Sequence, residues 1–133
     1  MLGMRTYTKK YIAASRSKVE TDLSTYKALA AGGKVSGAFE TTFFNNMIIV
    51  LDHLFVHRLR TVEGKDGNPL NEVRMLSDSI MNNNQKLAID KSIVYDASQS
   101  ILKIKVGDEI KVKEADFMLL YKAFFAEIES KFL

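Results

Sequence analysis

The sequence predicts a segregated α+β fold, with about four helices and a small antiparallel β-meander before the C-terminal helix. Two patterns predict it. Apolar side chains recur every three or four residues over long segments, whereas apolar and lysine residues alternate between positions 101 and 113. With one proline and seven glycines in 133 residues, the elements should be long and the loops few. This length suits one core, so we expect a single domain over residues 1–133, with 1–8 as a flexible basic arm.

The first two predicted helices contain the most regular apolar patterns. Helix 9–31 has a weak apolar stripe, and a glycine pair follows it, as is typical of a helix end. Helix 39–60 is the most apolar segment and should be the central helix of the core. Its opposite arc is polar but also carries Ile49 and Val56. We therefore expect another element or another subunit to cover part of that arc.

In the second half of the chain, the spacing of apolar residues changes from a helical period to alternation. An Asn-Pro pair of the type that starts helices precedes a predicted helix over 69–81. A short strand is then predicted over 92–95. Two more are predicted over 101–106 and 109–113, because apolar and charged residues alternate there. A last helix over 114–132 presents aromatic residues on one face. The meander would be marginal alone, so it should pack on the helices.

Composition narrows the classes of function. The chain has 19 basic and 16 acidic residues, a net charge of +3, which does not by itself imply a nucleic-acid or membrane partner. It has no cysteine, which excludes disulfide scaffolds and thiol chemistry. Polar residues interrupt its most apolar stretch, so we predict no membrane span. We interpret the chain as a cytoplasmic protein.

The two histidines suggest a metal site. His53 and His57 are four residues apart on one predicted helix, so both rings should project from the same face. Two such histidines can supply two metal ligands, and a hydrolase with a metal-bound water would follow if a third ligand came from elsewhere. The sequence lacks the glutamate of the zincin motif, and two solvent-exposed or interface histidines are the simpler interpretation.

Arg58 suggests an ion pair or an anion site. It falls within the apolar arc of helix 39–60, where an unpaired buried guanidinium would be very costly. It either extends to water from the helix end or forms a partly buried ion pair or an anion site. In the last case, free backbone N–H groups at the start of helix 69–81 add donors for a phosphorylated ligand. The candidate ligand-binding residues are His57, Arg58, Arg60, Asn68, Asn71 and Arg74.

Lysines on the predicted hairpin suggest a third class of function. Lys103, Lys105, Lys111 and Lys113 would lie on the polar faces of two adjacent strands. Together with the basic arm and its tyrosines, they could bind nucleic acid through phosphate contacts and stacking. Lysines on strands also commonly protect sheet edges, and neighbouring glutamates dilute the patch, so this alternative is not favoured.

Several strings of residues carry a resemblance. They are Phe43-Phe44-Asn45-Asn46-Met47, Val56-His57-Arg58, the run from Glu63 to Arg74, Val106-Gly107-Asp108-Glu109-Ile110 and Phe124-Phe125-Ala126-Glu127-Ile128. In them the chain resembles a small uncharacterised bacterial, largely actinobacterial, protein family without assigned function, over residues 39–133. The resemblance implies a bacterial cytoplasmic protein and implies nothing about mechanism.

The sequence contains no recognisable catalytic set, and whether the protein is an enzyme stays open, as does any cofactor. The apolar residues on the polar arc of the central helix favour association with a second copy. We therefore predict a non-catalytic protein that self-associates as a homodimer. Its alternatives are an anion-binding or metal-binding protein, possibly a hydrolase, and a nucleic-acid-binding protein.

Overall fold

Three of the long helices begin at a residue whose side chain caps the helix. Thr8 Oγ1 accepts a hydrogen bond from Tyr11 N at 3.0 Å, and Ser36 Oγ accepts one from Phe39 N at 3.1 Å. Asn68 caps the helix that begins at Pro69. The computed structural model describes residues 3–133. Over these residues it contains five α-helices: α1 (Lys9–Ala31), α2 (Gly37–Leu54), α3 (Arg60–Glu63), α4 (Pro69–Asn82) and α5 (Glu114–Phe132).

Helix α2 is the centre of the packing. It packs most extensively on α4, and it also contacts α1 and α5. Phe44, Ile48 and Leu51 of α2 have no exposed surface. Aromatic residues of α5 complete this core, since its four phenylalanines have no exposed surface and Tyr121 is also buried. Burial of so many large apolar side chains is the main force that holds the helices together.

Helix α1 is held by both apolar and polar contacts. Its stripe of buried residues includes Val19 and Leu23. Arg16 forms an ion pair with Glu129 of α5, and its guanidinium lies over the ring of Phe125, 4.6 Å from the ring centroid. These contacts explain why a helix with a weakly apolar stripe still lies against the core.

The predicted β-meander is wrong, and the fold is all-α rather than α+β. No strand forms in the described residues 3–133; the segment between α4 and α5 contains a 3₁₀ helix (Ala97–Gln99) and isolated bridges, one of which joins Lys86 and Glu109. Lys103 has a φ of 55°, which is incompatible with an extended strand. The alternation of apolar and lysine residues predicts that every second side chain is buried, and Ile110 and Val112 are indeed buried. An irregular chain that lies on helices can bury the same side chains without forming a strand.

The second predicted helix is also too long, since it was expected over 39–60 and α2 ends at Leu54. Phe55 leaves the helical conformation, with φ −125° and ψ 34°. Arg58 then donates to Phe55 O at 3.1 Å and to Asp52 O at 3.4 Å. Both carbonyls also accept from backbone amides, Asp52 O from Phe55 N at 3.3 Å and Phe55 O from Arg58 N at 3.1 Å. The guanidinium thus adds hydrogen bonds to the tight turns that end α2 and lead into the short α3.

Residues 1–8 are predicted to form a flexible basic arm, of which residues 1 and 2 lie outside the described residues. Met4 N donates to His57 O at 2.6 Å, and Leu59 N donates to Met4 O at 2.9 Å. Tyr7 N donates to Phe132 O at 2.6 Å, and the Tyr7 ring is buried. Residues 4–7 therefore pack between the α2–α3 connection and the end of α5.

None of the helices in the described residues 3–133 has both the length and the apolar character needed to cross a membrane.

Candidate functional site

The predicted basic cluster converges on a carboxylate of the chain itself. Glu63, the last residue of α3, is completely buried, and so is the Arg58 side chain that forms an ion pair with it. Arg60 forms a second ion pair with Glu63, one helical turn away. From α4, Arg74 donates to both carboxylate oxygens, from Nε at 3.1 Å and from Nη2 at 3.2 Å. We call these four residues the Glu63 cluster.

Arg58 has no donor left for a ligand. Besides Glu63, it donates to Asp52 Oδ1 at 2.9 Å and to Leu70 O at 3.1 Å, in addition to the two carbonyls at the end of α2. A guanidinium has five N–H donors, and these contacts use all of them. The structure thus gives Arg58 the role of joining α2, α3 and α4.

The two predicted asparagines hold the loop that leads from α3 into α4. Asn68 Oδ1 accepts from Leu70 N at 2.9 Å and from Asn71 N at 3.1 Å. It thereby gives a hydrogen-bond partner to N–H groups that have none within α4. Asn71 donates to Gly64 O at 3.0 Å and to Asp66 O at 2.7 Å, and its side-chain oxygen accepts from Arg60. Gly64 adopts a φ of 93°, which favours glycine at this turn.

Five of the six predicted ligand-binding residues therefore meet in one place, and His57 does not join them. The anion that they surround is Glu63, and Lys131 Nζ adds a hydrogen bond to the Glu63 backbone carbonyl at 2.9 Å. Chemically, this arrangement neutralises a buried carboxylate and braces three helices. Arg60 and Arg74 stay partly exposed, with 37 % and 24 % of their side chains in contact with solvent.

The two histidines line a cleft that no member of the Glu63 cluster lines. Both His53 and His57 are exposed. Among the described residues, no group of three or more histidine, cysteine, aspartate or glutamate side chains is placed to hold a metal ion. Asp52, the carboxylate next to His53 in sequence, is paired with Arg58. The structure brings the two predicted metal ligands into one cleft without giving them a third.

This cleft has a volume of about 950 Å³. Its apolar and aromatic lining is Met4, Tyr7, Tyr11, Leu54, Val56 and Leu133. Its polar lining is Thr6, Thr8, Lys9, His53 and His57. We call it the Tyr7 cleft. Residues that precede α1, the first turns of α1 and the end of α2 therefore build one concave surface.

Tyr7 is the least exposed large side chain of this cleft. It is 9 % exposed, and its hydroxyl is buried without a hydrogen-bond partner among the described residues. Its ring stacks on Tyr11 with 5.4 Å between centroids and meets Phe55 edge to face at 4.9 Å. Burial raises the pKa of the Tyr7 hydroxyl, so the group stays a neutral donor.

The sequence reasoning missed Glu63 and the cleft. A signal for Glu63 was available, because a guanidinium predicted inside an apolar arc requires a carboxylate, and Glu63 is the nearest acid after Arg58. The cleft had no comparable signal. It depends on residues 4–7 lying beside the end of α2, and the isolated backbone bridge between Met4 and Arg58 has no local sequence pattern.

The lysines of the predicted hairpin do not share a sheet. Lys111 lies 3.6 Å from Glu109, and Lys113 lies 3.8 Å from Glu40 of α2. Lys103 Nζ donates to Ser98 O at 3.0 Å. The strands that would have aligned these lysines are absent from the described segment between α4 and α5.

Comparisons of the chain with protein-family models, with curated proteins and with solved structures gave no match. The resemblance to an actinobacterial family stays a prediction.

Proposed function

We propose that this protein is a non-catalytic binding protein that holds an apolar small molecule in the Tyr7 cleft. The size and lining of the cleft carry the proposal. Small-molecule sites are typically concave, of about 300–1,000 Å³, mostly apolar and supplied with a few polar groups. The Tyr7 cleft has a volume of about 950 Å³, and aromatic or aliphatic side chains form about half of its lining residues.

The exposed apolar surface of the cleft supports the same proposal. Tyr11 and Val56 line the cleft and are 42 % and 43 % exposed. A bound apolar molecule would remove this surface from water, which is favourable.

The Glu63 cluster supports a binding role over catalysis. Its charged groups contact each other and the backbone, and none of its four members lines the Tyr7 cleft. A catalytic acid or base must reach the reacting atom of a bound substrate. The groups in this cluster instead hold α2, α3 and α4 together.

Titration of the ¹⁵N-labelled protein with 1-octanol, followed by NMR, tests the proposal. We expect saturable shifts at the amides of the cleft, and we expect Val56→Asp to abolish them because the charge would be desolvated by the ligand. Leu119→Asp is the matched control, since Leu119 is 60 % exposed on α5 and does not line the cleft. Absence of saturable shifts, or equal loss in both variants, would contradict the proposal.

We also propose self-association as a second function, favoured by a specific observation. Met4, Tyr11 and Val56 are each more than 40 % exposed at the rim of the cleft, and grouped exposed apolar side chains often mark interaction surfaces. A two-fold contact through this rim would form a homodimer. Sedimentation at micromolar concentration should show a dimer that Val56→Asp dissociates. A monomer in the unsubstituted protein would reject this second function.

A further inference from the structure

The segment that precedes α1 builds one wall of the Tyr7 cleft. Four of the eleven residues that line the cleft belong to this segment, namely Met4, Thr6, Tyr7 and Thr8. We call residues 3–8 the N-terminal strap. The other lining residues belong to α1, to α2, to the connection that follows α2 and to Leu133. The cleft is therefore a concave surface only while the strap lies in place.

Few contacts hold the N-terminal strap. Met4 N donates to His57 O at 2.6 Å and Met4 O accepts from Leu59 N at 2.9 Å, while Tyr7 N donates to Phe132 O at 2.6 Å. Tyr7 is buried, and the other side chains of the strap are exposed. A segment with one buried anchor opens more easily than a helix of the core does.

The Tyr7 anchor itself favours reversible docking. Its ring lies among three aromatic rings, with centroid distances of 5.4 Å to Tyr11, 4.9 Å to Phe55 and 5.9 Å to Phe132. Its hydroxyl, however, is buried without a hydrogen-bond partner among the described residues. Water can bond to this hydroxyl when the strap leaves, which offsets part of the free energy gained by burying the ring.

Gly3 shows how closely the strap fits against the connection that follows α2. A Cβ atom at Gly3 would lie 2.7 Å from Leu59 Cδ1 and 3.0 Å from Leu59 Cα. The methyl group can move aside, whereas the backbone atom cannot. Glycine thus permits the close approach in which Met4 forms its two hydrogen bonds. Because Gly3 does not line the cleft, a substitution there changes strap docking and leaves the lining side chains unchanged.

Resting on the function proposed above, we propose that the N-terminal strap is the gate of the Tyr7 cleft. The docked strap closes the cleft around an apolar molecule, and the strap undocks to release that molecule while the helices stay folded. Because the molecule binds only the docked state, ligand binding and strap docking favour each other by the same factor. Any process that holds or displaces residues 3–8 then sets the affinity of the cleft.

Amide hydrogen exchange of the unsubstituted protein, with and without 1-octanol, tests the gate. The amides of Tyr7 and Leu59 report on the strap, because both donate in its backbone hydrogen bonds. The Val112 amide is the reference, since it donates to the buried Asn45 side chain in the core. Without octanol, we expect the two strap amides to exchange faster than Val112. Octanol at ten times its Kd should slow the two strap amides about tenfold.

Two glycine variants test the gate from the other direction. Gly3→Val should displace the strap, and Gly37→Val is the matched control, because a Cβ atom at Gly37 would meet no atom within 4 Å. In Gly3→Val the Kd for octanol should rise by the reciprocal of the docked fraction, about tenfold if one molecule in ten stays docked. The chemical shift of the Tyr7 amide reports that fraction, and the other amides show whether the helices are intact. Gly37→Val should bind octanol as the unsubstituted protein does.

The outcomes separate the gate from the proposed function. The gate is refuted and the apolar site stands if octanol binds without slowing the strap amides, or binds equally to both glycine variants while the strap of Gly3→Val is undocked. Strap amides that exchange no faster than Val112 would also refute the gate, since the strap would then open only with the whole fold. If octanol does not bind at all, both proposals fall. A Tyr7 amide that keeps its shift in Gly3→Val would contradict the close fit of the strap, and the exchange rates of the unsubstituted protein then decide the proposal.

Discussion

Arg58 and Glu63 form an ion pair in which neither side chain retains any solvent exposure. The pair lies where α2 ends, α3 runs and α4 begins, because Arg58 also bonds to the Phe55 and Leu70 carbonyls. Buried charges are tolerated only when they are paired and hydrogen-bonded, and here both conditions are met. The pair therefore fixes the relative positions of three helices that the apolar core alone would leave free to slide.

Glu63→Gln should lower the free energy of unfolding by about 3–5 kcal/mol, since it removes the buried one of the two carboxylates that pair with Arg58 and leaves only the partly exposed Asp52. The variant keeps the shape of the side chain, so the loss reports the charge rather than a cavity. Urea denaturation followed by circular dichroism measures it.

Asp22→Asn is the comparison for this experiment. It breaks the pair of Lys18 and Asp22 on the surface of α1, where 55 % and 28 % of the side chains are exposed. Such exposed pairs contribute about 0.5 kcal/mol or less. If Glu63→Gln cost no more than Asp22→Asn, the Glu63 cluster would not brace the fold.

Asn45→Ala should destabilise the protein by about 2–3 kcal/mol. The buried amide of Asn45 donates to Ile110 O at 2.8 Å and accepts from Val112 N at 3.1 Å, so its removal leaves two buried backbone groups without partners. The Val112 amide should also exchange with solvent faster. The neighbouring Asn46 is exposed, and Asn46→Ala should change stability by less than about 0.5 kcal/mol. Similar effects of the two substitutions would contradict this role of Asn45.

The helices α1, α4 and α5 were predictable because each carries a local signal, whereas the short α3 was not predicted. The bounds of α1 and α5 agree with the prediction, and α4 extends one residue further than expected. The end of α2 and the missing meander were not predictable in the same way. The missing meander depends on a side chain from another element, since Glu72 of α4 accepts from the Ile101 and Leu102 amides that a strand would have paired. The end of α2 depends on Arg58, whose apolar-arc position fits a continuing helix but whose guanidinium turns back to donate to the Phe55 carbonyl.

The candidate sites were predictable only in part. Arg58, Arg60 and Arg74 do come together, since the turn before α4 returns the chain to the end of α2. What the sequence could not show is that a carboxylate from the connector would occupy the space between them. The Tyr7 cleft depends on contacts between Tyr7 and Phe55, 48 positions apart, for which no local pattern exists.

The buried carboxylate of Glu72 should make stability depend on pH. Burial raises its pKa, although hydrogen bonds from the Leu102 and Ile101 amides act in the opposite direction. The folded state therefore binds the proton more tightly than the unfolded state does. This contribution to stability is complete below the pKa of the unfolded carboxyl and is lost as the pH rises through the pKa of the folded one.

Glu72→Gln should remove that dependence, because the amide does not titrate. Urea denaturation of both proteins at a series of pH values, from about 4 to 8, measures the difference in their free energies of unfolding. The protein with Glu72 should lose stability relative to the variant as the pH rises. A difference that stays constant, or that changes in the opposite direction, would contradict the raised pKa.

Lys103→Gly should leave stability unchanged or raise it by up to about 1 kcal/mol. Lys103 adopts a φ of 55°, a left-handed conformation that costs a non-glycine residue about 1 kcal/mol and costs glycine almost nothing. Its side chain makes only an exposed hydrogen bond to Ser98 O, so little is lost with it. Urea denaturation measures the change.

Lys105→Gly is the matched control, because Lys105 is exposed in the same segment and is not among the residues with positive φ. There, glycine only adds freedom to the unfolded chain, and the substitution should cost about 0.5–1 kcal/mol. The sign of the Lys103→Gly effect on stability thus distinguishes the irregular chain from the predicted β-meander. In a strand, glycine would weaken both positions alike, and a loss at Lys103 equal to that at Lys105 would favour the meander over the irregular chain described here.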